Sequence, residues 1–245
     1  MNPTDLFFQE VAQNIQGLRA DKDVQALSRI WMREISPHKY AYNFTWMGRP
    51  IIQLPQDMIA LQELVWQIKP DLIIETGIAH GGSIIYSASL LELLGGDGVV
   101  VGIDIDIRPH NRQAIEAHPM MKRIRLVEGS AIAPETVAEV RKLAEGRQRV
   151  LVLLDSNHTH EHVLGELEAY APLVKAGSYV IVYDTLVDDM PASFFPDRPW
   201  GPGNNPKTAV HEFLRRSDRF EIDHNIDSKL LITVAPSGYL KCVKD

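Results

Sequence analysis

The run Ile73-Ile74-Glu75-Thr76-Gly77-Ile78-Ala79-His80-Gly81-Gly82-Ser83 constrains the fold of this chain more than any other stretch. Asp71 to Ile74 is apolar enough to read as a strand buried on both faces. The strand ends in an acid and a glycine-rich turn, and a helical pattern starts at Ser83. Strand, glycine turn and helix in that order bring backbone N–H groups and a helix N-terminus to face one ligand. The spacing departs from the dinucleotide fingerprint G-x-G-x-x-G, because three residues separate Gly77 from Gly81-Gly82. A nicotinamide-dependent oxidoreductase is disfavoured on that ground.

The same alternation continues downstream. Strands are expected at 71–75, 98–103, 123–128, 149–154 and 178–183, with helices at 83–95, 110–117, 134–145 and 161–174 between them. A helix at 207–216 and two closing strands, 219–223 and 229–234, follow. Regular β/α alternation over this length implies a doubly wound, mainly parallel α/β sheet with right-handed crossovers. Upstream, residues 4–34 read as two helices, capped by Thr4 or Asp5 and by Asp21 or Asp23. Their apolar positions Leu6, Phe7, Val11, Ile15 and Leu18 need a partner surface, either over the site or across a homo-oligomer contact. The aromatic segment Tyr40–Pro50 reads as an irregular loop that either plugs the sheet edge or walls a substrate pocket. Asp57–Ile68 reads as a helix. The expected division is a helical and aromatic segment over 1–50 and a catalytic domain over 51–245.

Composition narrows the function classes. At 245 residues the chain can bury one large α/β core. A net charge of −7 argues against a nucleic-acid partner. No apolar run reaches a bilayer's length, and the N-terminal residues lack signal-peptide features, so the plain expectation is a cytoplasmic protein without membrane contact. The single cysteine, Cys242, lies far from any metal-type spacing.

Open α/β sheets bind ligands beyond the carboxyl ends of their strands. Four predicted strands deliver a carboxylate there: Glu75, Asp104, Asp155 and Asp184. Asp104 lies about twenty residues past the glycine turn, where an acid grips ribose hydroxyls in nucleotide-binding folds. Asp106 reads as a cap for the helix after it. In Asp155-Ser156-Asn157-His158-Thr159-His160-Glu161-His162, the histidines lack zinc-site spacing. The better pairing is Asp155 with Asp184, and two carboxylates without a thiol favour magnesium. His158 is then placed to take a proton from a metal-coordinated hydroxyl. Residues 185–206 carry five prolines and three aromatics, Phe194, Phe195 and Trp200, and a loop that long is expected to be functional.

These residues together resemble the cephalosporin hydroxylase / rhamnosyl O-methyltransferase family of S-adenosylmethionine (SAM)-dependent proteins. The resemblance spans about Tyr42 to Leu240. It rests on Trp46-x-Gly48, Gln53-x-Pro55-x-Asp57, Glu75-Thr76-Gly77 with Gly81-Gly82-Ser83, and Gly102-Ile103-Asp104. Asp155-Ser156-x-His158, Gly177-x-Tyr179, Asp184-Thr185, Gly201-x-Gly203 and Ala209-Val210-x-Glu212-Phe213-Leu214 extend it. It implies a Rossmann-like class I methyltransferase sheet whose last strand is antiparallel, with a SAM site at Glu75, Gly77, Ser83 and Asp104. Thr76, Gly81, Gly82, Ser130 and Asp155 complete the expected cofactor contacts. It also implies a magnesium site at Asp155 and Asp184, catalysis by Asp155 and His158, and a small hydroxylated acceptor such as a sugar or macrolide. The alternative role is a non-catalytic SAM-binding subunit serving an oxygenase. One departure stands out. Relatives often carry two acids before the threonine, whereas Tyr183 precedes Asp184 here, leaving Asp188 or Asp189 as candidate substitutes.

Overall fold

A computed structural model describes residues 2–245. In chain order the elements are α1 (Pro3–Ala20), α2 (Lys22–Ile35), β1 (Phe44–Trp46), β2 (Arg49–Ile51), α3 (Pro55–Ile68), β3 (Leu72–Thr76), α4 (Gly82–Leu94), β4 (Val99–Asp104), α5 (Pro109–Glu116) and β5 (Ile124–Glu128). They continue with α6 (Pro134–Ala144), β6 (Val150–Leu154), α7 (His160–Tyr170), β7 (Tyr179–Val182), α8 (Pro206–Arg216), β8 (Phe220–Ile222), α9 (His224–Leu230) and β9 (Tyr239–Cys242).

Seven strands form one sheet in the order β5-β4-β3-β6-β7-β9-β8. The five from β5 to β7 run parallel, and β9 pairs antiparallel with both β7 and β8. Alternate residues of each strand feed different cores, as a two-residue side-chain period requires. Ile73, Val100, Leu151 and Ile181 face the layer containing α3 and α4, while Leu72, Val101, Val152 and Val180 face the layer of α6, α7 and α8. At about 1.5–3 kcal/mol per fully buried aliphatic side chain, this double coverage is what holds the strand ends in register. The strand order reverses between β3 and β4 on one side and β6 on the other, so the glycine turn after β3 sits at the switch point.

Three expectations need correction. The run 229–234 is not a strand. Leu230 ends α9, and Thr233 and Val234 form an extended bend instead. The Val234 amide donates to Asp57 at 3.0 Å, and the Thr233 hydroxyl bonds the same carboxylate. The antiparallel strand that closes the sheet is β9, after Pro236-Ser237-Gly238. The first helix is capped by Asn2, with Asp5 reciprocating from the third helical position, rather than by Thr4 or Asp5. Asp106 caps nothing, since α5 begins three residues later, at Pro109, with Arg108 in the cap position.

The aromatic segment is more ordered than an irregular loop. It forms the hairpin β1–β2, with Trp46 packed edge-on to Tyr86 of α4 and its indole N–H donating to Ser89 Oγ at 3.0 Å. Among the described residues no helix is long and apolar enough to cross a membrane.

Candidate active site

The glycine turn is locked from three sides. Gly77 has φ +80°, and a Cβ there would lie 2.1 Å from the Asp155 carbonyl oxygen. No L side chain fits that approach. A Cβ at Gly82 would likewise strike the Pro50 carbonyl of β2 at 2.1 Å, so the hairpin rests directly on the start of α4. The Asp104 carboxylate accepts from the Ile78 and Ala79 amides at 3.0 and 3.2 Å. From outside, Arg49 donates to the His80 carbonyl and to Asn111 Oδ1, and Asn111 Nδ2 donates to the Ala79 carbonyl. Arg49 and Asn111 were not among the expected site residues; only contacts across 30 to 60 positions of sequence reveal them.

A cleft of about 320 Å³ opens above this turn, lined by Gly77, Gly82, Ser83, Asp104 and Asp155 among others. A smaller hollow of about 160 Å³ adjoins it through Gly77 and Asp104, and adds Ser130, Asn157 and His162. Glu75, Thr76 and Gly81, expected as contacts, are not part of either wall. Glu75 is 2% exposed and sits beneath the turn, where it accepts a hydrogen bond from the Ser83 hydroxyl. Burial without a compensating cation raises its pKa to about 8, with the Ser83 bond opposing. The expected polar contact is thus a neutral acid in the floor.

The floor also holds Gln53, which is 3% exposed and lines the cleft. Its Oε1, Glu75 Oε2 and the Tyr183 hydroxyl are buried without a hydrogen-bond partner. Orphaned buried acceptors are rare and ask for a ligand or water. Gln53 appeared in the sequence only as part of a motif, with nothing to mark it as lining a site.

Asp155, His158 and Asp184 converge at the strand ends. One ligand atom from each lies within 4.8 Å of the other two. His158 Nε2 stands 3.1 Å from Asp184 Oδ2, and its ring meets Trp200 edge-on at 4.9 Å. Asp184 has φ +55°, an uncommon conformation for a non-glycine residue and one that concentrates at functional positions. The Asp155 pKa is driven well up, first by desolvation and then by the charges of Asp184, Glu75, Glu166 and Asp57. No lysine or arginine bridges Asp155 or Asp184. Two carboxylates that repel each other without a protein cation between them, beside an imidazole, form an oxygen-rich donor set suited to a hard divalent ion.

The neighbouring histidines go elsewhere. His160 joins α7 to α8 through Thr208 Oγ1 at 2.8 Å and Glu212 Oε2 at 3.0 Å. His162 approaches Ser156, whose hydroxyl donates to the buried Glu166 at 2.6 Å. Asp188 and Asp189 do not replace the missing acid. Asp188 accepts from the Gly203 amide and Asn205, and Asp189 pairs with Lys207.

A second cavity of about 440 Å³ meets the cleft at His158, Asp184 and Tyr42. The loop 185–206, α2 and the segment 36–42 supply most of its wall, including Met32, Tyr40, Phe194, Phe195 and Trp200. The loop is therefore wall, as its length suggested.

A sequence profile described as rhamnosyl O-methyltransferase/CmcI matches residues 38–243. The chain belongs to this family. Rhamnosyl O-methyltransferases of Mycobacterium tuberculosis and Mycobacterium leprae are each 30% identical to it, over 83% of this chain and 82% and 87% of theirs. Among solved structures, a CmcI complex with magnesium and SAM superposes with a TM-score of 0.58 at 19% identity, covering 82% of this chain and 77% of that one. The O-methyltransferase TomG of Streptomyces achromogenes, in complex with SAM, gives 0.55 at 16% identity over 92% and 91%. The mycinamycin-pathway methyltransferase MycE, with magnesium, S-adenosylhomocysteine and mycinamycin VI, gives 0.51 at 16% over 87% of this chain and 54% of its own. These likenesses establish the methyltransferase fold, and family membership makes the protein an O-methyltransferase.

Proposed function

We propose that the protein transfers a methyl group from SAM to a hydroxyl of a small acceptor, a sugar or related secondary metabolite, with magnesium held by Asp155 and Asp184. The convergence of Asp155, His158 and Asp184 where the two cavities meet carries this reading. When bound, SAM supplies an activated sulfonium methyl and magnesium lowers the pKa of an acceptor hydroxyl. The chain supplies alignment and a proton acceptor. Gly77 and the rest of the turn wall the cleft that a nucleoside would fill, while Asp104, Ser130 and Asn157 line its expected path. Asp104 accepts from the turn amides through Oδ2 and from the Asp106 amide at 3.3 Å through Oδ1, and the second lone pair of Oδ1 can take a ribose hydroxyl. His158, held by Asp184 and Trp200, stands where the acceptor enters and takes its proton. Trp200, Phe195 and Tyr42 offer ring faces to a sugar or an aromatic ring.

The N-terminal segment 1–50 has two parts in this reading. Met32 and Tyr40 help wall the acceptor cavity. Leu6, Phe7 and Phe8 of α1 and Leu27 and Ile30 of α2 are exposed, and would be covered in a homo-oligomer. The convergence of Asp155, His158 and Asp184 favours the catalytic role over the non-catalytic alternative, whose one support is Tyr183 standing where relatives often carry a second acid. Calorimetric titration with S-adenosylhomocysteine tests the cofactor assignment. Tight binding that Asp104→Ala weakens supports it, and no binding at millimolar ligand rejects it.

A further inference from the structure

The acceptor cavity carries a charge pattern that a neutral sugar does not need. Its wall contains one carboxylate, Asp184, which is turned onto His158 at 3.1 Å. The other fixed charges in the wall are both positive: Lys39 and Arg198. Neither has an acidic partner. Lys39 Nζ lies 5.8 Å from the Tyr42 ring centroid, and the Arg198 guanidinium lies 5.1 Å from that of Trp200. The acids nearest in sequence, Asp197 beside Arg198 and Glu34 before Lys39, lie outside the cavity wall, and Glu34 pairs with Arg33, while Asp188 and Asp189 are committed to Asn205 and Lys207. In a chain whose acids outnumber its bases by seven, two unpaired cations facing one aromatic cavity form a local excess.

Resting on the methyltransferase reading of this site, we infer that the acceptor is a hydroxylated ring that also bears an anionic group, a carboxylate or a phosphate, received by Arg198 and Lys39. The ring stacks on the Trp200 side, its hydroxyl points to His158, and the anion lies toward the cavity mouth. A guanidinium already held over an aromatic ring keeps its N–H groups available to a two-oxygen acceptor with less further ordering than a free side chain. The arrangement also orients the acceptor, because the negative end is repelled by Asp184 and drawn to the opposite charges. Neutral glycosides would fit the apolar wall yet lose this polarity.

The test compares matched pairs on protein saturated with S-adenosylhomocysteine and magnesium: phenyl glucuronide against phenyl glucoside, protocatechuate against its amide, and phenyl phosphate against phenol. Calorimetry is expected to show the anionic member of at least one pair binding about tenfold tighter, with the preference shrinking as salt is raised. Which pair responds separates carboxylate from phosphate recognition. In Arg198→Gln, and further in Arg198→Gln with Lys39→Gln, the preference should vanish while S-adenosylhomocysteine affinity and melting temperature hold. Equal affinities, tighter binding of the neutral members, or no anion binding while S-adenosylhomocysteine still binds overturns the inference alone. Loss of S-adenosylhomocysteine binding in the wild type would instead remove the reading beneath it.

Discussion

The two cavities that meet at His158 are built in opposite ways. The cofactor cleft is cut into the sheet: its turn is clamped by backbone contacts, by Asp104, and by Arg49 with Asn111. The acceptor cavity is laid against the sheet by α2 and the loop 185–206, whose aromatic side chains are partly exposed. The first is specified by what cannot fit, the second by what happens to line it. Substitutions should therefore cost folding and cofactor binding on one side, and acceptor binding alone on the other.

Gly77→Ala should show the largest effect. The new Cβ overlaps the Asp155 backbone, so the expected loss is about 4 kcal/mol or more, read as a collapse of the denaturation midpoint. A well-folded variant would mean the turn is looser than described. Next comes Glu75→Gln. The Glu75 pKa is raised to about 8, so its contribution to stability is full below the unfolded value of 4.5 and is lost as pH rises toward 8. The variant mimics the neutral acid and should gain on the wild type with pH, by up to about 3 kcal/mol between pH 5.5 and 8.5 in denaturant titrations. A pH-independent difference would place Glu75 in water or against a cation.

Smaller effects fall on the acceptor side. Asp188→Ala frees the Gly203 amide and Asn205, and should cost about 1 kcal/mol and weaken acceptor binding without changing S-adenosylhomocysteine affinity. Trp200→Ala should leave the midpoint within about 0.5 kcal/mol of wild type, because the ring is only half-buried, yet reduce acceptor affinity. If Trp200→Ala instead weakens the cofactor complex, the two cavities are not separable.

The same contrast decides what could be read from sequence. The parallel strands and their helices were legible because the central strands are apolar on both faces and the breaks carry glycine, proline or a cap. The acids at the strand ends followed from that register. The closing strand was misplaced because Leu230–Val234 is as apolar as a strand, yet it bends half-buried against Met32 and Leu54, with Thr233 and Val234 bonded to the Asp57 carboxylate. Glu75 read as a ligand contact, and turned out to be floor, because its partner Ser83 lies on the far side of the turn. Gln53, Arg49 and Asn111 act through contacts that no local pattern announces.

The central claim is that Asp155 and Asp184 hold a divalent cation beside His158, and manganese is the direct probe. Electron paramagnetic resonance titration of Mn²⁺ into protein with S-adenosylhomocysteine should reveal one tight site per chain, displaced by Mg²⁺. Asp184→Asn, which tolerates the left-handed backbone there, should abolish it with the fold intact. A site that survives Asp184→Asn, or no site in the wild type, would contradict the account.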